Sequence, residues 1–391
     1  MLTRLTGRSN SGLLVAGIVL IAFCLRPAIT SVGPLTDEIR AGLHLSSAGV
    51  GLITTLPLLA FGAVSPFAAR IGLRLGIERT LGLALALIAA GLIVRSVSGV
   101  GIVYLTTTLV GAGIAACNVL LPGLVKEEFQ ERSGAMTSVY VTAMVGMAGV
   151  AGATAVPLAN SGLGWRGALG FWAVPAVIAF LVWLPRTREK HVPEGAREHV
   201  PLPWRSPLAW QITIFMGLQS LVFFGLVAWL PDLLRDAGVG ASASGVMVGV
   251  MQLGGLVSTI GVPVLAVRRP TQYWLVLVTT AICLAGVLGL LIAPRQLAAA
   301  WAIMVGLSTG AFLSLGLTFF VVRARDTAHT AALSGMAQSG GYTLAAASPA
   351  GIGALHDLAG GWTLPLWTLV GVTLLTGLFG LGAARDRVVA D

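Results

Sequence analysis

The 391-residue sequence has few charged residues, few cysteines and few long polar stretches. Only 10% of its residues are charged, and it contains three cysteines and five histidines. Hydrophobic residues make up 56% of the chain, and the mean hydropathy is +0.90. Because soluble globular proteins carry about 25% charged residues, this composition excludes a soluble domain and indicates a membrane protein.

Acidic residues are missing from the centres of the long apolar segments. All 15 Asp and Glu residues, and all five histidines, fall in predicted loops or at segment ends. A proton relay within a membrane normally uses a buried carboxylate or histidine. These segments therefore offer no side chain for a conventional proton relay at their centres.

Reactive and metal-binding residues are also sparse. The cysteines Cys24, Cys117 and Cys283 lie too far apart in the sequence for a metal motif. No nucleophile constellation or phosphate-binding loop accompanies them. We therefore expect no metal, no cofactor and no enzymatic activity. The net charge of +9 is spread over short loops, so we expect no nucleic-acid partner either.

Most of the sequence consists of long apolar segments. A membrane-spanning helix needs about 20 mostly apolar residues, and twelve segments meet this requirement. They are 12–35, 47–69, 77–97, 101–124, 134–158, 166–185, 208–234, 241–266, 271–293, 296–322, 330–355 and 362–383. The segments are continuously apolar and do not alternate, which excludes a barrel. The predicted fold is an all-α membrane protein with twelve transmembrane helices.

Basic residues are distributed unevenly between the two sets of loops. With the N-terminus inside, 18 of the 24 Lys and Arg residues fall on the cytoplasmic side and 5 on the outer side, while Arg26 lies within a span. Short cytoplasmic loops of membrane proteins carry an excess of Lys and Arg. We therefore predict that both termini are cytoplasmic.

The second part of the sequence repeats features of the first at a constant offset. Three features recur 197 residues later: Pro34 as Pro231, Gly164-Trp165 as Gly361-Trp362, and Lys126 as Arg323. Three matches at one offset indicate an internal duplication. Each repeat holds six spans, so the two copies have the same orientation. In transporters built this way the substrate site lies near the membrane midplane between the halves.

A polar stretch separates the two repeats. It carries Arg, Lys, Glu, His and prolines and shows no apolar periodicity, which is typical of a linker. We therefore expect an N-terminal six-helix half at 1–185, a cytoplasmic linker at 186–207 and a C-terminal six-helix half at 208–391.

Arg26 is the one basic residue that cannot be placed near a membrane surface. It lies in the middle of the first span, and no predicted span has a carboxylate near its centre to pair with it. A cation at mid-bilayer costs about 3 kcal/mol on insertion scales and persists when it faces a cavity or a partner. A guanidinium suits bidentate recognition of an oxyanion. We predict that Arg26 anchors the substrate; a structural role, binding backbone carbonyls, is the alternative.

Six other polar residues within the spans are candidate substrate ligands: Asn118, Tyr140, Gln219, Gln252, Gln338 and Tyr342. An unsatisfied polar group in hydrocarbon is costly, so each needs a partner. That partner is either the substrate or a neighbouring helix, and the sequence leaves both open. Substrate contact is favoured for Gln219 and Gln338, whose spans carry the motifs of the second half.

Two mixed-charge loops on the predicted cytoplasmic side contain candidate gating residues. These residues are Arg70, Arg74, Lys126 and Arg132. Ion pairs there would hold the two halves closed on the inside. The alternative is that they are solvated surface charges, which contribute little to stability.

Several motifs carry a resemblance to a known family. They are Leu25-Arg26-Pro27, Leu121 to Lys126, Gly217 to Ser220, Trp229-Leu-Pro231, Gly335 to Ser339 and Ala354 to Asp357. Together they resemble the cyanate and nitroimidazole porter family of the major facilitator superfamily, over nearly the whole chain. The loop after the second span keeps the facilitator residues Arg70, Gly72 and Arg74 but has Ala69 at the acidic position of that motif.

The resemblance implies an alternating-access secondary transporter in a bacterial inner membrane. Its substrate would be a small anion or a small polar organic molecule, similar to cyanate or a nitroimidazole. Its partners would be that substrate and the lipid bilayer, and we expect a monomer. A drug efflux pump on the same fold is the alternative, although efflux pumps for cations usually need a buried acid that these spans lack.

Overall fold

The computed structural model describes residues 7–45, 47–97, 99–188 and 202–389. All regular secondary structure in these ranges is helical. Most of the predicted linker lies outside the described residues, and so do the first six positions of the predicted N-terminal half.

The chain divides into two compact units. Unit 1 comprises Met1–Leu121 and Met147–Arg197, and unit 2 comprises Pro122–Gly146 and Glu198–Asp391. The unit boundaries fall within two long helices and so differ from the boundaries of the sequence repeats. The predicted division into two six-helix halves stays a prediction.

Nine of the described α-helices precede the linker. They are α1 (Gly7–Cys24), α2 (Pro27–Thr30), α3 (Thr36–Leu43), α4 (Ser47–Leu75), α5 (Ile77–Val97), α6 (Val100–Glu128), α7 (Ser133–Leu158), α8 (Gly164–Gly170) and α9 (Ala173–Trp183). A π turn at Ala159–Leu163 joins α7 to α8. Gly162 permits this turn because its φ of 95° lies in the left-handed region, which residues with a Cβ rarely adopt.

Seven of the described α-helices follow the linker. They are α10 (Pro207–Asp236), α11 (Ala241–Val267), α12 (Tyr273–Ile292), α13 (Ala298–Val322), α14 (Thr327–Ala346), α15 (Ser348–Ala359) and α16 (Thr363–Ala383). Ser206 and Asp326 cap the N-termini of α10 and α14 through their side-chain oxygens, as these residue types commonly do.

The predicted spans correspond closely to these helices. Among the described residues, ten helical segments are long and apolar enough to cross a membrane. The predicted span 166–185 is divided between α8 and α9, and the span 330–355 between α14 and α15. Pro349, in the first turn of α15, lacks the N–H of a regular helix and accounts for the second division.

Glycines allow the closest helix contact in unit 2, between α11 and α13. A Cβ on Gly254 would lie 2.7 Å from the carbonyl oxygen of Ile303, and a Cβ on Gly306 would collide with the carbonyl of Met251. Small residues let membrane helices approach until their backbones touch. The two helices therefore pack backbone to backbone over several turns.

Trp183 is the packing centre of three helices in unit 1. Its indole N–H donates to the carbonyl of Glu78 at 2.9 Å, which joins α9 to α5. On the other side, a Cβ on Gly17 of α1 would lie 2.8 Å from the Trp183 ring. This large side chain is fully buried and thereby fixes the relative positions of α1, α5 and α9.

The three cysteines are buried and free of disulfides. Cys24 and Cys117 lie in unit 1, and Cys283 lies in unit 2. Among the described residues no group of three or more His, Cys, Asp or Glu side chains is arranged to hold a metal ion. The thiols therefore act as packing residues.

Candidate functional site

The first predicted span is interrupted at Arg26. Helix α1 ends at Cys24 and the short helix α2 begins at Pro27, whose ring cannot donate to a preceding turn. The carbonyl of Arg26 accepts hydrogen bonds from the backbone N–H groups of Ile29 and Thr30, both at 3.0 Å. The Arg26 side chain is half-buried. The candidate anchor thus sits at a helix break, a feature that transporters use at their binding sites.

A second arginine, Arg95, approaches the same break from α5. Its guanidinium is buried, with 1% of the residue exposed, and Nη1 donates to the carbonyl of Ala28 at 3.0 Å. Its Nε and Nη2 have no hydrogen-bond partner among the described residues. Arg95 therefore contacts the segment that directly follows Arg26.

This role of Arg95 was not predicted, because the residue was counted among the five basic residues of the predicted outer side. Ile93 and Val94, which precede it, are exposed on α5. The apolar residues around Arg95 therefore do not reveal which face of the helix is buried.

Asn118 is the other candidate ligand in unit 1. It lies in α6 and is half-buried beside the fully buried Cys117. The remaining five candidate ligands belong to unit 2. That all seven form one site stays a prediction.

Gln219 and Gln338 lie on two helices in direct contact, α10 and α14. These helices touch at a pair of glycines, where a Cβ on Gly217 would lie 3.2 Å from the Cα of Gly341. Both glutamines are buried. The Gln219 amide donates to the carbonyl of Met216 at 3.1 Å and to Ser220 Oγ at 2.6 Å, and the Gln338 amide donates to Ser334 Oγ at 2.8 Å.

These bonds use the amide N–H groups of both glutamines within their own helices. Local contacts therefore hold the two side chains in place.

The two candidate tyrosines both belong to unit 2. Tyr140 of α7 and Tyr342 of α14 are buried. The Tyr140 hydroxyl has no hydrogen-bond partner among the described residues. A buried phenol without a partner is costly, so this hydroxyl is suited to bind a ligand atom. Gln252 lies on α11 and is half-buried.

The candidate gating residues fall into two groups. Lys126, at the end of α6, donates through Nζ to the carbonyls of Val321 and Ala324 at the C-terminus of α13. Asp326 adds an electrostatic interaction with the same ammonium group. Arg70, Arg74 and Arg132 are exposed.

Arg323, the repeat counterpart of Lys126, also binds helix-terminal carbonyls. Its guanidinium donates to the carbonyls of Ala383 and Ala384, both at 3.2 Å, and contacts the Gln272 side chain. Burial lowers the pKa of Arg323, while Asp386, 3.6 Å away, acts in the opposite direction. Cations are favourable at helix C-termini because the helix dipole is negative there.

A sequence model described as Major Facilitator Superfamily matches residues 18–349. The chain is 40% identical over 390 residues to the 2-nitroimidazole transporter of Escherichia coli (strain K12), and the match covers 99% of each chain. It is 27% identical over 369 residues to the cyanate transport protein CynX of the same organism and strain, covering 92% of this chain and 95% of that one.

The fold is also similar to that of a solved transporter. The structure of the proton:xylose symporter XylE superposes with a TM-score of 0.77, at 12% sequence identity and over 96% of each chain. The predicted all-helical facilitator fold and the resemblance based on sequence motifs are both confirmed. The family consists of transporters, which confirms that the protein is not an enzyme. This chain belongs to the major facilitator superfamily and is a multi-pass membrane transporter.

Proposed function

We propose that this protein is a secondary transporter of a small anionic or electronegative polar solute, with Arg26 as the substrate anchor. The observation that carries the proposal is the position of Arg26 at the break between α1 and α2. Irregular backbone within a span is tolerated where it is buried in protein or lines a water-filled cavity. A positive charge at such a break attracts a negatively charged or strongly dipolar guest.

We further propose that Gln219, Gln338 and Tyr140 contribute two amide groups and a hydroxyl to substrate binding. A guanidinium, amide groups and a phenol together suit a compact molecule with a negative end and one or two polar groups. Two relatives are named for solutes of this class, 2-nitroimidazole and cyanate. We place the protein in the bacterial inner membrane on the same basis.

Ligand binding to the purified protein tests the anchor. A thermal-shift and calorimetry panel would contain cyanate, 2-nitroimidazole and a lipophilic cation, tetraphenylphosphonium. We expect an electronegative solute to stabilise the protein and Arg26→Ala to weaken its binding about tenfold or more, since a hydrogen bond to a charged group contributes roughly 1.5–3 kcal/mol. Arg26→Lys keeps the charge but loses the bidentate geometry, so we expect intermediate affinity.

Arg40→Ala is the matched control, because Arg40 is an exposed arginine on α3. It should leave the affinity unchanged. Stabilisation by tetraphenylphosphonium that Arg26→Ala does not alter would instead favour the alternative, a drug efflux pump. Transport into proteoliposomes with and without an imposed proton gradient then tests the expectation that no residue of the chain relays a proton.

We also propose that Lys126 closes the pathway on the predicted cytoplasmic side. Lys126 belongs to the predicted first half, whereas Val321 and Ala324 belong to the predicted second half. Its charged hydrogen bonds must break for these segments to separate. Arg70, Arg74 and Arg132 also remain candidate gating residues, although the described part of the chain shows no comparable contact for them. We expect a single chain to be the functional unit, which light scattering of the purified protein tests.

A further inference from the structure

Unit 2 contains a cavity at the end where α10 and α12 begin and α16 finishes. Its volume is about 360 Å³. Three polar side chains from three different elements line it: Gln211, Tyr273 and Arg385. None of the described residues in its lining is acidic. A compact group with hydrogen-bond acceptors and negative charge therefore fits the polar side of this cavity.

The opposite wall is apolar and belongs to α16. Leu378, Phe379 and Leu381 supply it, and Leu378 is 62% exposed. Leu364, Trp367 and Leu374 lie on the same helix face at spacings of three, four or seven residues, and each is at least 45% exposed. In a membrane protein an exposed apolar stripe of this kind contacts acyl chains. The stripe leads along α16 directly to the cavity.

Gly382 lies beneath the polar part of the cavity lining. A Cβ on Gly382 would lie 2.6 Å from Cδ of Gln211. The Gln211 amide therefore rests directly against the α16 backbone, and any larger residue at this position would displace it. The polar side of the cavity depends on this close approach.

The charge of Arg385 is available to a ligand. The adjacent carboxylate, Asp386, lies 3.6 Å from Nη1 of Arg323 and is engaged there. Arg385 itself is exposed and follows the last turn of α16. The lining thus presents one guanidinium, one phenol and one amide at the level where a spanning helix ends, which is the level of the lipid headgroups.

We propose that this cavity binds the phosphate headgroup of an anionic glycerophospholipid, with one acyl chain along the apolar stripe of α16. Arg385 pairs with the phosphate, the Tyr273 hydroxyl donates a hydrogen bond to it, and the Gln211 amide contacts the glycerol region. Basic cavities between membrane helices are suited to anionic lipids, and arginine suits phosphate through paired N–H donors. This site is separate from the proposed transport function.

Native mass spectrometry of the full-length protein tests the proposal. The delipidated protein is titrated with phosphatidylglycerol and, separately, with phosphatidylcholine of the same chains. We expect wild type to retain phosphatidylglycerol preferentially, and Arg385→Gln to reduce that preference about fivefold, the contribution of one basic residue near an anionic surface. Tyr273→Phe, which removes only the hydroxyl, should reduce it less. Raising the ionic strength should weaken the preference in wild type.

Arg387→Gln is the matched control, because Arg387 is exposed two residues further on and does not line the cavity. It should retain the wild-type preference. If both variants lost the preference for phosphatidylglycerol equally, lipid binding would depend only on the overall charge of the protein. That result would overturn the proposal. Equal retention of both lipids by wild type would overturn it too, as would Arg385→Gln behaving like wild type.

Discussion

The ammonium group of Lys126 donates a hydrogen bond of 2.8 Å to the main-chain carbonyl of Val321. Arg323, which occupies the equivalent position of the second repeat, donates instead to the carbonyl of Ala383. Both cations therefore bind the C-terminus of another helix. The partner of Lys126 lies in the other predicted half, whereas the partner of Arg323 lies in its own. The duplicated cation thus links the two predicted halves in one copy only.

Removing the Lys126 contact should favour opening on the predicted cytoplasmic side. Ser138→Cys provides a reporter, since Ser138 is buried and donates to the carbonyl of Thr259 at 2.9 Å. In this background we expect Lys126→Met to raise the rate of labelling by a soluble maleimide about tenfold, because charged hydrogen bonds of roughly 1.5–3 kcal/mol are lost.

Arg205→Met is the control for this experiment, because Arg205 is exposed in the turn before α10 and is not a candidate gating residue. It should leave the labelling rate unchanged. If Lys126→Met labels no faster than the parent, the contact does not hold the closed state.

Arg95 should affect binding more than stability. Nε and Nη2 of the buried Arg95 lack a hydrogen-bond partner among the described residues, and burying such groups is costly, so we expect Arg95→Met to keep or raise the melting temperature. Because its guanidinium holds the Ala28 carbonyl beside the helix break, we expect substrate affinity to fall roughly tenfold, or about 1.4 kcal/mol. Thermal unfolding and calorimetry measure the two effects, with Arg40→Met as control. Unchanged affinity would show that Arg95 does not position the Arg26 segment.

Gly306 should tolerate no side chain. A Cβ there would collide with the Met251 carbonyl, and overpacking of this kind costs about 1–3 kcal/mol. We expect Gly306→Ala to lower the melting temperature by several degrees. Gly249→Ala, on α11 with nothing within 4 Å of its Cβ position, should have no such effect. Equal melting temperatures for the two variants would mean that α11 and α13 separate easily.

The Asp326 cap should contribute stability that depends on pH. Burial disfavours the Asp326 carboxylate, but hydrogen bonds from the backbone and ring of His329 and from the Ala328 N–H outweigh this, so its pKa is lowered. A group with a lowered folded-state pKa stabilises the protein above its unfolded pKa, and the contribution is lost as the pH falls through the folded pKa.

We therefore expect Asp326→Ala to lower the melting temperature at pH 7 through loss of a cap of about 1 kcal/mol. The difference from wild type should narrow as the pH falls below about 4. Differential scanning fluorimetry across pH 3.5 to 7 measures it, with the exposed Asp357 replaced by Ala as control. A difference that widens on acidification would contradict this assignment.

Local composition was sufficient to predict the helical spans, because each needs only a sustained apolar run to cross the bilayer. It was also sufficient to single out Arg26, since one charge in an apolar run is visible without a structure. The burial of Arg95 was not predictable in this way, because it depends on which face of α5 meets the segment after Arg26.

The contact made by Lys126 could not be predicted from the sequence for a related reason. The charged residues of these loops predict an ion pair, whereas the principal partners of Lys126 are backbone carbonyls. Every residue has a backbone carbonyl, so no side-chain pattern reveals such a partner. Likewise, the contact between Gly217 and Gly341 joins the helices that carry Gln219 and Gln338, and it depends on how these two helices cross. Apolar pattern alone does not determine this crossing.

The burial of all three native thiols has a practical consequence. Cys24, Cys117 and Cys283 are each no more than 4% exposed, so reagents dissolved in water find almost no thiol surface to attack. The native cysteines should therefore not react with thiol-specific labels used for spectroscopy. Pairs of spin labels or fluorophores attached at newly introduced surface cysteines will report interhelix distances throughout the transport cycle, without prior removal of the native residues and the cavities that such removal would leave.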